Sequence, residues 1–295
     1  MQQAGAVVLV TGASTGIGFA TAVRLARAGS IVYAGVRREE DGDQLLRDAG
    51  SKVRPVLLDV TDEAAPQRML DEIERTAEGR LDALVNNAGI AVAGALEILP
   101  PADLRRQFDV NFFGAIALTQ TLLPLLRSTR GRVVLVSSIG GKFATPYAGA
   151  YSASKFALEA AGDALRVELK AFGIGVSLIE PGVIKTQIWE RGAQTSLAIF
   201  DRAPAALRNL YEAPMLALQE LSVQLEKNGT PANRVAAAIE HAIFSKRPHT
   251  RYLVGVDARV QRFVTELPDR VRDALISTLL ARAGKSATAP QRNPS

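Results

Sequence analysis

The chain has 295 residues, 47% hydrophobic and 22% charged, which provides material for a sizeable core and excludes a disordered chain. It contains no cysteine and two histidines, His241 and His249, which removes disulfides, thiolate nucleophiles and cysteine-ligated metals and leaves little for a histidine-based metal site or triad. The net charge of +5 is uneven: residues 1–190 hold 20 Lys/Arg against 21 Asp/Glu, and residues 191–295 hold 15 against 9, read here as solvated arginines on helices.

The opening MQQAGAVVLV lacks a basic start and its apolar run is too short for a signal peptide, so a cytoplasmic setting is expected. Strands are expected at 7–10, 31–36, 53–58, 83–86, 132–137 and 175–179, with helices at 16–28, 65–77, 102–126 and 152–172 among them. Pro124 is expected to help end the third of these helices. The strand-like runs are apolar throughout, as when helices cover both sheet faces. Alternation with short connections predicts an α/β fold, a Rossmann-type doubly wound parallel sheet, in a single domain over 1–283. Residues 187–230 read as helices and loops with apolar anchors such as Ile188, Trp189, Leu197, Phe200 and Leu216, expected to form a helical substrate lid. A strand at 252–256 and a helix at 268–283 follow, the latter with Val271, Leu275 and Leu279 at spacing i+4; residues 284–295 are expected to form a disordered tail. No run of eighteen uninterrupted apolar residues occurs, so no membrane span is expected, and a membrane contact through the basic C-terminal third is the lesser alternative.

In sheets of this class the ligand crevice lies beyond the C-terminal ends of the strands. The first strand runs straight into TGASTGIG, where Gly12, Gly16 and Gly18 allow a tight turn, close approach of a diphosphate and close helix packing. Their spacing is G-x3-G-x-G, so the commoner dinucleotide fingerprint is missed as written. The second strand ends in AGVRR (34–38), with no acid to meet a ribose 2′-hydroxyl and two arginines, Arg37 and Arg38, suited to a 2′-phosphate. NADP(H) is therefore favoured over NAD(H), with Glu39, Glu40 and Asp41 read as the start of a solvated loop or helix.

Tyr151 and Lys155 stand four residues apart, so phenol and ammonium share a helix face. By periodicity alone this is an ordinary amphipathic face. With a cation nearby, however, a phenol whose free pKa is ~10 moves toward the range of a working base. Ser138, at the end of the fifth strand, is a donor to an oxygen on which negative charge develops.

Taken in order, the T-G-x3-G-I-G turn, Asp59, the NNAG run 86–89, Asn111 in FDVNFFG, Ser138 and Tyr151-x3-Lys155 resemble the short-chain dehydrogenase/reductase family over roughly residues 5–186. The later segments IEPGVIKT and RYLVGVDARV are most similar to its retinol and hydroxysteroid dehydrogenase branch. The resemblance implies that Tyr151 exchanges a proton with the substrate oxygen, that Lys155 holds the nicotinamide ribose and lowers the tyrosine pKa, that Ser138 hydrogen-bonds the substrate oxygen, and that Asn111 keeps a water-linked proton relay in place. It also implies cofactor contacts from Gly12, Ser14, Thr15, Gly16, Ile17 and Gly18 in the turn, from Asp59 and Val60, from Asn87, Ala88 and Gly89, and from Pro181, Gly182, Ile184 and Thr186. Thr15 stands where many NADP-using members carry a basic residue, so the cofactor preference rests on Arg37 and Arg38.

Plainer roles stay open for some of these residues. The pair Asn86 and Asn87 could cap a strand end, and Asn111 could be a polar helix residue satisfied by backbone. Lys142 and Lys185 are read as solvated, and the histidines as lacking triad partners. The expected activity is oxidoreduction between a carbonyl and an alcohol on a small lipophilic substrate, with no metal and no nucleic-acid partner, by a homodimer or homotetramer. The alternatives are an NAD-dependent alcohol dehydrogenase of the same fold and a nucleotide-sensing protein without chemistry.

Overall fold

All four side chains of β1 (Val7–Val10) are buried, so this strand is covered on both faces. It is joined by β2 (Ile31–Val36), β3 (Val53–Leu57), β4 (Ala83–Asn86), β5 (Arg132–Val136), β6 (Gly175–Pro181) and β7 (Arg251–Val254). They form one seven-stranded sheet, parallel throughout, in the order β3-β2-β1-β4-β5-β6-β7. The computed structural model describes residues 3–186 and 188–287, without the side chains of 189–191, 217–227, 259–262 and 279–287. The winding reverses between β1 and β4, and this switch point fixes where a crevice opens above the sheet.

The described helices, in chain order, are α1 (Gly16–Arg27), α2 (Glu39–Ala49), α3 (Ala65–Ala77), α4 (Pro101–Phe108), α5 (Gly114–Thr129), α6 (Gly149–Glu168), α7 (Ile188–Arg202), α8 (Ala205–Lys227), α9 (Ala232–Phe244), α10 (Val256–Thr265) and α11 (Asp269–Ala287). Successive strand residues point to opposite faces, and the core divides accordingly. Val8 and Val10 pack with Leu25 of α1 and Ile239 of α9 on one side. Val7 and Leu9 pack with Ile73 of α3, Leu122 of α5 and Leu158 of α6 on the other.

Several boundaries differ from expectation, each for a local reason. The helix expected at 102–126 is two helices joined by a π-helical turn, Asp109–Phe113. Pro124 does not end α5, which runs on to Thr129. Its ring faces solvent while Leu125 and Leu126 are buried, and that burial outweighs one lost backbone bond. The run Pro101–Thr129 is long and apolar enough by composition to cross a membrane, yet α5 lays its leucines into the core. β6 extends two residues beyond the expected strand, to Pro181, and Val256 belongs to α10 rather than to β7. Residues Glu39–Asp41 open α2, where acids suit a helix N-terminus. The final helix reaches Ala287, inside the expected tail, and residues 288–295 lie outside the described part. The side chains of Trp189 and Leu279, named above as anchors, also lie outside it. In the expected lid region, α7 and α8 pack together, and α11 lies along α8.

Candidate active site

The turn after β1 is built so that only glycine fits. Gly12 and Gly16 have φ of +62° and +60°, the left-handed region that other residues avoid. A Cβ on Gly18 would lie 2.2 Å from the Gly12 carbonyl oxygen and 2.5 Å from Asn87 Nδ2. Asn87 is the stitch: its Nδ2 donates to the carbonyls of Thr11 (2.9 Å) and Gly12 (3.1 Å), while its amide donates to the Thr11 hydroxyl (2.9 Å). The N-terminus of α1 has no side-chain cap, so its first amides remain available to an anion. Thr186 closes the far side, with its Cγ2 3.1 Å from where a Cβ on Gly16 would sit. These residues fit the diphosphate of a dinucleotide.

Two features mark the adenosine side. Asp59 accepts from the amide (2.9 Å) and hydroxyl (2.7 Å) of Thr61, fixing the turn after β3, and lines the cleft with Val60. Arg37 follows β2 directly and also lines the cleft. Arg38 does not: its guanidinium is paired with Asp41 at 2.9 Å, with the side chain 70% exposed. Of the two arginines expected to meet a 2′-phosphate, Arg37 is thus on the cleft wall, and Arg38 stands off it beside an acid in the first turn of α2.

At the other end of the cleft, Tyr151 and Lys155 are both buried on one face of α6. Burial pushes the Tyr151 phenol above its ordinary value, and a hydrogen bond with the Ser138 side chain pulls the other way. The lowering expected from Lys155 is therefore not the dominant effect on the phenol. Lys155 is itself pushed down to about 8 by burial, partly offset by the Glu159 carboxylate. Its Nζ donates to the Val136 carbonyl at 2.8 Å and stands 5.8 Å from the centre of the Tyr151 ring. The Ser138 oxygen accepts from the Gly140 amide at 3.0 Å, and its contact to the Pro181 carbonyl is long, 3.5 Å.

Asn111 sits on the inner side of the π-helical turn and does not line the cleft. Its Oδ1 accepts from the Ile90 amide (2.8 Å), and its Nδ2 donates to the Ile90 carbonyl (3.0 Å) and to Ser154 Oγ (3.1 Å). It pins the segment after β4 to α6, and the backbone-satisfied reading left open above describes its observed bonds. Gly18 likewise supports the cleft from behind, whereas every other expected cofactor position except Arg38 lies on its wall. Lys142, read as solvated, is paired with buried Glu159 at 2.9 Å. His241 and His249 stack with centroids 5.6 Å apart and do not line the cleft.

The cleft has a volume of about 1830 Å³, beyond the ~300–1,000 Å³ usual for one small ligand. Part of its wall was not found from sequence. Tyr147, with φ +64°, packs edge-on against Tyr211 of α8, and Val264, Leu275 and Ile276 close the outer end. Asp257 of α10 accepts from the Val183 amide and touches Gly182, holding the turn after β6. No short-range pattern links position 257 to position 183.

Residues 6–196 match the model of the short chain dehydrogenase family. An NADPH-dependent 3-dehydrocapnine reductase of Ornithobacterium rhinotracheale is 35% identical, the match covering 90% of this chain and 94% of that protein. Retinol dehydrogenase 5 of Mus musculus is also 35% identical, over 96% of this chain and 91% of its own. Among solved structures, a short chain dehydrogenase from Burkholderia cenocepacia in complex with NADP superposes with a TM-score of 0.70 at 26% identity, covering 95% of this chain and 99% of the other. The cleft at the switch point has the glycine turn at one end and buried Tyr151 and Lys155, with Ser138 partly buried beside them, at the other. The chain is an oxidoreductase of the short-chain dehydrogenase family, in the retinol-dehydrogenase-like branch, acting between CH–OH and C=O with NAD(P).

Proposed function

We propose that the protein is an NADP(H)-dependent reductase of lipophilic ketones or aldehydes, with Tyr151 as the proton donor. One observation carries this reading: a single cleft runs from the uncapped N-terminus of α1, past Arg37, to Tyr151 and Ser138, and ends against apolar side chains of the C-terminal helices. Phe200, Met215, Leu216 and Leu275 line that end and favour a substrate with a large apolar body. An NADPH-dependent relative and a relative named for retinol, an apolar alcohol, support both parts.

A bound nicotinamide cofactor supplies the hydride. Burial keeps the Tyr151 phenol protonated at neutral pH, the form a donor needs. Ser138 places a hydroxyl beside it, so the substrate oxygen receives a hydrogen bond from Ser138 and the proton from Tyr151 as the carbonyl becomes an alcohol. Lys155, charged below about pH 8, stabilises the phenolate left behind until it takes up a proton from water. Exposed Phe113, Phe156 and Val167, lying on or beside α5 and α6, support pairing of two copies through these helices, which light scattering on the purified protein tests.

The test is transfer of a deuteride from labelled NADPH to a panel of hydrophobic carbonyls, in the parent and in Tyr151→Phe. Loss of the donor lowers turnover by ~10²–10⁴-fold. Undiminished turnover in Tyr151→Phe rules out the proposed donor.

A further inference from the structure

Behind the cleft lies a group of charged side chains that the reaction described above does not use. Tyr151, Lys155 and Glu159 follow one another at intervals of four residues along α6, so all three share one buried face. Glu159 is only 3% exposed and is held from two directions, by Lys142 Nζ at 2.9 Å and Arg251 Nη2 at 3.2 Å. Arg251 reaches Glu180 Oε1 at 2.9 Å and Asp163 Oδ2 at 2.7 Å, and Arg166 pairs with Asp163 at 2.5 Å. Glu180, fully buried on β6, lies close enough to Glu159 for the two carboxylates to repel.

The members of this group come from the segments that carry the chemistry. Lys142 ends the short turn Ile139–Gly141 that begins at Ser138. A Cβ on Gly141 would lie 3.0 Å from Glu159 Cγ and 3.0 Å from the Lys155 carbonyl, so that turn rests directly on the Glu159 stem. Glu180 immediately precedes Pro181 and Gly182, both on the cleft wall. No carboxylate pairs with Lys155 among the described residues, and Glu159 stands one helical turn from it.

We propose that Glu159 is a positioning residue of the active site: its carboxylate, fixed by Lys142 and by Arg251, which also grips Glu180, keeps Lys155 charged and holds the Ser138 turn, α6 and the end of β6 in register. Burying a lysine without a partner favours its neutral form, and a neutral Lys155 gives no support to a phenolate. Burial already brings Lys155 down to about 8, and the Glu159 charge opposes a further fall. The groups facing the pair are Tyr151, Asp163 and Arg166 on α6, Lys142 on the Ser138 turn, Glu180 on β6, Arg251 on β7, and Thr265 and Glu266 at the end of α10. Glu180 is pushed up to about 7 by burial and by the Glu159 charge, so the carboxyl pair gains a second charge near neutrality, below the pH at which Lys155 would lose its own.

The proposal rests on the roles given above to Tyr151 and Lys155, so its test reads Lys155 without turnover. The chain has eight lysines, few enough for ¹³Cε-lysine NMR, with the Lys155 signal identified by its loss in Lys155→Arg. A pH titration of the whole protein in Glu159→Gln moves the Lys155 midpoint down by about one unit, the low end for a partly compensated neighbouring charge. Lys142→Met, which removes a cation from Glu159, moves it the opposite way by a smaller amount. The alkaline limb of the carbonyl-reduction pH profile shifts with the NMR midpoint in each variant. A Lys155 midpoint unchanged in Glu159→Gln overturns the proposal. If that variant does not fold, a midpoint unchanged or lowered in Lys142→Met overturns it. A preparation inactive on every carbonyl tried leaves the titration readable, so failure of the functional reading shows separately.

Discussion

Replacing Arg37 by alanine tests how this cleft chooses between the two nicotinamide dinucleotides. Arg37 leaves β2 at the crevice and lines it, and among the described residues it has no ion-pair partner. A guanidinium on a 2′-phosphate makes charge-assisted bonds worth roughly 1.5–3 kcal/mol, which is about 10- to 150-fold in affinity. Arg37→Ala should raise the dissociation constant for NADP(H) by that factor and leave NAD(H), which lacks the phosphate, nearly unchanged. Arg38 gives the internal control. It stands off the cleft wall and is paired with Asp41, so Arg38→Ala should weaken NADP(H) binding less than Arg37→Ala does. Calorimetric titration of both cofactors at one fixed ionic strength measures all three proteins under equal screening. Equal losses for both cofactors in Arg37→Ala, or a larger loss in Arg38→Ala, would refute the assignment.

Three further outcomes follow from individual contacts. Gly18→Ala places a methyl 2.2 Å from the Gly12 carbonyl oxygen, so the melting temperature should fall, by the equivalent of ~1–3 kcal/mol, and dinucleotide binding should fall with it. Asn111→Ala orphans the buried Ile90 amide at a cost of ~1–3 kcal/mol. Because Asn111 is off the cleft wall, turnover should drop while cofactor affinity stays near the parent's, and a loss confined to affinity would contradict its place behind the site. Glu180→Gln tests linkage: a carboxyl raised to about 7 contributes stability that is full below its ordinary value and is lost as pH rises through 7. Urea midpoints from about pH 5 to pH 8 should show the parent losing on the order of 2–3 kcal/mol relative to the variant, and parallel curves would sink the idea.

The strands and the shared face of Tyr151 and Lys155 were legible because their signals are local. Runs such as VVLV are buried on both faces, and Tyr151-x3-Lys155 is an interval within one helix. What stayed hidden depends on partners far apart in the chain. Glu159 looks like any polar helix residue until Lys142 and Arg251 are brought to it from other segments. Arg37 and Arg38 read alike in AGVRR, and only the fold shows that one lines the cleft while Asp41 holds the other. Pro124 carries a terminating signal that burial of Leu125 and Leu126 overrides. The apolar C-terminal wall at Val264, Leu275 and Ile276 comes from helices whose periodicity shows an apolar face without saying what it meets.

The π-helical turn at Asp109–Phe113 limits how far this chain can tolerate insertion and deletion here. It holds one residue more than an α-helical turn, and each residue of an α-helix accounts for about 100° of rotation. Deleting any single residue in FDVNFFG would let the two helices fuse into a regular one. It would also swing α5 by that angle relative to α4, carrying Leu118, Leu122 and Leu126 away from the core and Asn111 away from Ile90. Length in this loop-free stretch is therefore policed twice, by packing and by the site, and compensating changes in sequence alone would not restore both.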